Sequence, residues 1–81
     1  MKRVEQVIHR KLGKERSHGL AFQDKGIIHI DSRLNGIDHL DTLIHEILHI
    51  IQPKWGELRV EGNATEIARV LWEQGYRRII E

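Results

Sequence analysis

From Asp38 to Pro53 the chain carries one long apolar period, and that period demands a helix. Leu40, Leu43, Ile44, Ile47, Leu48 and Ile51 recur at three- and four-residue spacing, which places them on one broad face of an α-helix and on both faces of a strand. Asp38 is suited to cap its start, Asp41 adds a carboxylate where the helix macrodipole favours one, and Pro53 ends it. The expected helix is Asp38 to about Gln52. After the bend Pro53-Lys54-Trp55-Gly56, a second stripe of Val60, Ala64, Ile67, Ala68 and Leu71 predicts a helix from Glu57 to about Gln74, with Gly75 just past its end. So short a bend turns the two helices antiparallel and makes them share an apolar face.

Upstream, the β-prone runs His18 to Gln23 and Gly26 to Asp31 flank a turn that ends in Gly26, a residue free to take positive φ. They predict a hairpin. Lys2 to Leu12 fits a short amphipathic helix through Val4, Val7, Ile8 and Leu12, or a strand through Val7-Ile8-His9. The expected fold class is α+β: a β-hairpin or three-stranded sheet packed against two long antiparallel helices, as a single domain over residues 1–81. The apolar residues of the tail Tyr76 to Glu81 are expected to pack back on the body.

Composition narrows the function. A chain of 81 residues buries a modest core and has no cysteine for a disulfide, which leaves a bound metal as a source of added stability. The lack of cysteine fits a reducing compartment, and no apolar run has the length of a membrane span or a signal peptide. A soluble cytoplasmic protein is the expectation. With 13 Lys+Arg against 12 Asp+Glu, the net charge of +1 gives no basic stripe for nucleic acid. Two helices joined by a four-residue bend superficially resemble helix-turn-helix, but Glu57, Glu61, Glu66 and Glu73 on the second helix oppose phosphate contact. The outlier is six histidines.

Two of those histidines sit in the middle of the first helix, in His45-Glu46-Ile47-Leu48-His49. Residues four apart share a helix face with Cβ atoms about 5–6 Å apart. Two imidazoles so placed can bind one tetrahedral ion such as Zn2+ with bonds near 2 Å. Glu46 is turned roughly 100° from His45 and can reach a water held by the ion, which makes it the candidate catalytic base. Random placement of the same residues yields this pattern in roughly 4% of shuffles. On a helix otherwise filled with Ile and Leu, two histidines without a partner would be awkward core residues.

A structural zinc wants four protein ligands, usually with cysteine, whereas a hydrolytic one wants three and an open position. The third ligand should come from the second helix at a depth matching Ile47. Glu61 meets that depth and lies beside Val60 and Ala64, with Gly62 allowing close approach. Glu57 is the second candidate, although a carboxylate in a first helical turn is favourable for purely helical reasons. A histidine or water is the remaining choice.

The run His45-Glu46-Ile47-Leu48-His49, followed by Glu61-Gly62-Asn63 on the next helix, resembles the gluzincin metallopeptidases. Within them it is most similar to the minimal minigluzincin-type and ImmA/IrrE-like domains, where a Glu-Ala-Asn-type motif supplies the third ligand and a β-hairpin precedes the motif helix. Leu71-Trp72-Glu73-Gln74-Gly75-Tyr76-Arg77 also resembles the ending of small phage-type and bacterial proteins of this kind. The resemblance covers about Gly19 to Arg77. It implies a zincin-like minimal core, a zinc cofactor held by His45, His49 and Glu61, Glu46 as general base, and a peptide or protein substrate. Gly62 stands where Ala is usual, and the larger gluzincins' second subdomain is missing.

Other residues carry smaller expectations. The strand Ile27 to Asp31 is a candidate edge for binding an extended peptide or for homodimer formation. His18 and Tyr76 are candidate oxyanion donors. His39 is expected on the exposed side of its helix, and Trp55 and Trp72 as packing residues. The leading expectation is a zinc metallopeptidase with a shallow cleft and weak or latent activity. The alternative is a non-catalytic, zinc-stabilised binding module, which would tolerate Glu46→Gln.

Overall fold

The computed structural model describes residues 2–13 and 18–79. It contains β1 (Gln6–Arg10), β2 (Gly19–Phe22), β3 (Ile27–Asp31), α1 (Gly36–Ile51) and α2 (Glu57–Glu73). The fold is α+β, a three-stranded mixed sheet packed with two helices.

The hairpin forms where the turn chemistry placed it. Leu20 pairs with His29 and Phe22 with Ile27 in antiparallel register. The Lys25 and Gly26 amides both donate to the Phe22 carbonyl, and Gly26 takes a φ of +67°, a region L side chains rarely adopt. A Cβ there would also lie 2.5 Å from the Arg3 carbonyl oxygen. The chain passes that close because the Glu5 amide donates to the Gly26 carbonyl at 2.7 Å, leading it into β1.

The ambiguous first segment is a strand. β1 runs parallel to β3, with Val7 beside Ile28 and His9 beside Ile30, so the sheet order is β1-β3-β2. This corrects the expectation that Ile27 to Asp31 offers a free edge. β3 is the central strand, hydrogen-bonded on both sides, and the edges are β1 and β2.

α1 lies between the sheet and α2. Ile44 and Leu48, with Leu40 beside them, pack on Val60, Ala64 and Ala68 of α2. Leu43, Ile47 and Ile50 pack on Ile28 and Ile30 of the sheet. α2 rests on α1 and, among the described residues, not on the sheet. Two buried faces explain why the apolar stripe of α1 is so broad, and why Ile50, outside the expected stripe, is fully buried. Burying such a side chain contributes about 1.5–3 kcal/mol. The helices are antiparallel: Glu57 meets His49, Thr65 meets Asp41, and Trp72 approaches Gly36.

Three local expectations change. α1 begins two residues before Asp38, with Asn35 as N-cap and Asp38 inside the first turn. His39 is buried rather than exposed, its Nε2 lying 3.0 Å from His9 Nε2. In the tail, Tyr76 and Ile79 are exposed, while Arg77 stacks over Trp72 at 3.5 Å and donates to its carbonyl. Ile80 and Glu81 lie outside the described residues. Trp55 does pack against the α1–α2 core. Among the described residues, no helix is long and apolar enough to cross a membrane.

Candidate metal centre and cleft

At 100° per residue, His45 and His49 lie about 100° and 140° round α1 from Ile44. They therefore leave the α2 contact on its flank instead of pointing into it. There they line a cleft of about 700 Å³ between α2 on one side and β2 on the other. The rings sit edge to face with centroids 4.8 Å apart, both largely buried. Glu57 closes the group. One carboxylate oxygen lies 2.7 Å from His45 Nε2 and the other 3.2 Å from His49 Nε2. Taking one atom from each residue, the three donors lie within 4.8 Å of one another, and the set could hold a metal ion.

The carboxylate that the fold brings to the histidines is thus Glu57, where the sequence favoured Glu61. Glu61 lines the same cleft but lies outside this cluster. Helical geometry accounts for the difference. Residues four apart are rotated by about 40°, and Glu57 is the member of the pair nearer the buried stripe of Val60, Ala64 and Ala68. Glu61, one turn on, is rotated about 40° further from that stripe. Depth alone does not separate them, because the contacts of Glu57 with His49 and Thr65 with Asp41 put Glu61 level with His45. The sequence held the signal in the offset from the stripe, but a first-turn carboxylate has a competing explanation that masked it.

Glu46 sits at the base of the cleft, only 7% exposed. Burial pushes its carboxyl up to about 7, the neighbouring Glu57 carboxylate adds to the rise, and His45 opposes it. Gly19 of β2 forms the wall against it. A Cβ at Gly19 would lie 2.8 Å from Glu46 Cγ and 3.0 Å from Thr42 Cγ2, so only glycine lets the edge strand approach this close. The other end of the wall is tied down by Gln23, whose Nε2 donates to the His49 carbonyl at 2.8 Å. Of the two oxyanion candidates, His18 lines the cleft and Tyr76 does not.

The raised Glu46 pKa has a consequence for the metal-free protein. Between its ordinary value of 4.5 and about 7, the folded state holds a proton that the unfolded state releases. Stability attributable to this group therefore falls as pH rises through that window and stays low above it. Glu46→Gln removes the ionisation. The metal-free variant is expected to be more stable than the parent at pH 8 by on the order of 2 kcal/mol, with the gap closing toward pH 4.5. Urea unfolding with chelator present at both pH values measures it; a gap independent of pH would contradict the assignment.

Comparison with models of known protein families finds no match to this chain, and neither curated proteins nor solved structures give one.

Proposed function

We propose that the chain is a zinc-dependent peptidase-type domain, with His45, His49 and Glu57 as ligands and Glu46 as general base. The observation that carries this reading is one cleft holding a His-His-carboxylate donor set together with a separate, buried carboxyl of raised pKa. The donors suit the ion. Two imidazole nitrogens and one carboxylate oxygen are borderline ligands typical of zinc, and three of them leave one position open, the pattern of hydrolytic rather than structural sites. Tetrahedral bonds near 2 Å put ligand atoms roughly 3.3 Å apart, whereas one donor atom from each residue here lies within 4.8 Å of the others, so side-chain movement would draw the three together around the ion.

Bound zinc would supply a Lewis acid that acidifies a water and polarises the scissile carbonyl. The remaining work falls to the chain. Glu46 takes a proton from the attacking water and delivers it to the departing amine as the C–N bond breaks. β2, an edge strand lining the cleft, offers main-chain hydrogen bonds to an extended substrate by strand addition. His18 is available to donate to the oxyanion. The peptide would then lie along β2, because β3 is paired on both sides and has no free edge for it. A cysteine-free chain working on peptides through such a site suits the cytoplasm.

The test is hydrolysis of an unfolded protein substrate by the zinc-loaded chain. Cleavage that stops on chelation and returns with added zinc supports the reading. Cleavage indifferent to chelator, or none with zinc bound, would reject it in favour of the zinc-stabilised binding module.

A further inference from the structure

The sheet has a second edge, β1, which no described element covers. Among the described elements β1 touches β3 alone, and it holds no proline to deter a further strand. The backbone bonds define its free side. The Gln6 amide donates to the Gly26 carbonyl, and the Arg10 carbonyl accepts from the Ser32 amide, so the even-numbered residues turn their backbone groups to β3. In a strand that direction alternates, which leaves the N–H and C=O of Val7 and His9 facing outward. Val7 pairs with Ile28 on the face that α1 covers, yet is 38% exposed.

The sequence along this edge is complementary to itself. Two identical edges that close on each other pair antiparallel about a twofold axis. With the axis at Ile8, Val7 lies opposite the second copy's His9, and the two exchange both backbone hydrogen bonds. Ile8 meets Ile8 at the narrower, non-hydrogen-bonded spacing, where side chains come closest. Gln6 faces Arg10, and one residue further out Glu5 faces Lys11, an opposite-charge pair that the symmetry repeats. The neighbouring registers are worse. An axis at Val7 sets Arg3 against Lys11, and an axis at His9 sets Val7 against Lys11 and Ile8 against Arg10. The contact of Glu5 with Arg3 inside the chain is exposed, at 3.3 Å, and competes little.

We propose that β1 is a homodimer interface, through which two copies of this chain join antiparallel, centred on Ile8, into one continuous sheet. β2 and the cleft that holds His45 and His49 lie at the opposite edge, so both clefts stay open at the far ends. The inference does not depend on the peptidase reading.

Sedimentation equilibrium of the purified chain, from micromolar to millimolar concentration, measures it. A species of twice the 9.5 kDa chain mass is expected to accumulate over this range. Val7→Pro removes an outward N–H and leaves the ladder to β3 intact; it should remain monomeric with unchanged far-UV circular dichroism. Glu5→Lys should weaken the dimer by roughly tenfold, because opposite-charge pairs become like-charge pairs. Adding Lys11→Glu to it should restore the parent affinity. A parent that stays monomeric to millimolar concentration would leave the edge to a strand from another protein and overturns the inference. A dimer that survives Val7→Pro, or a double charge exchange that restores nothing, overturns it as well.

Discussion

Glu46→Gln is expected to lower peptide hydrolysis by at least a hundredfold while zinc remains bound at one ion per chain. General-base assistance is worth about 10²–10⁴ in rate, and Gln keeps the shape of the side chain but cannot take a proton. The geometry makes the separation clean. Glu46 lies outside the cluster of His45, His49 and Glu57, so removing its charge leaves the three donors in place. Gly19 confines its stem, so the amide should occupy the same space. Far-UV circular dichroism and zinc content check that fold and metal persist. A variant that keeps both and hydrolyses at the parent rate would show that Glu46 is a buried structural carboxyl and that the domain does not use it for catalysis.

The second large effect is on stability. In the metal-free protein Glu57 bridges two imidazoles, and a small chain whose second helix rests, among the described elements, on α1 alone has little to hold that bridge. Zinc that binds the folded state and not the unfolded one adds about 2.7 kcal/mol at a hundredfold excess over Kd. For a domain of this size that corresponds to roughly 10–20 °C in Tm. The same zinc addition should raise the Tm of His49→Ala by only a small part of this, because two donors on different helices remain in place of three. Thermal melts with zinc and with chelator give both values. A Tm insensitive to zinc in the parent would mean that the His-His-Glu group is a hydrogen-bonded surface cluster.

The features legible in the sequence were those set by local periodicity and turn chemistry. The α1 period and the Pro53 stop placed the motif helix to within two residues, and Gly26 marked the hairpin because positive φ is a local demand. What escaped depends on partners distant in sequence. Val7-Ile8 suits either a helix or a strand, and only pairing with β3, twenty-one residues on, decides between them. That same pairing buries the strand expected to be free and shifts the available edge to β2. His39 reads as a surface residue until His9, thirty positions earlier, is placed against it. The choice between Glu57 and Glu61 turned on about 40° of helical rotation, finer than a depth estimate resolves. The resemblance to minimal gluzincins pointed to the second of these carboxylates, and the folded chain presents the first to the histidines.

Calorimetric titration of zinc into the metal-free parent, Glu57→Ala and Glu61→Ala measures the shared ion directly. The account predicts one ion per chain in the parent, an affinity at least a hundredfold weaker in Glu57→Ala, and a change of no more than a few fold in Glu61→Ala. The loss expected at Glu57 is that of a direct ligand, which exceeds the 10–100-fold typical of outer-shell partners. No ion bound by the parent, or a loss confined to Glu61→Ala, would contradict it.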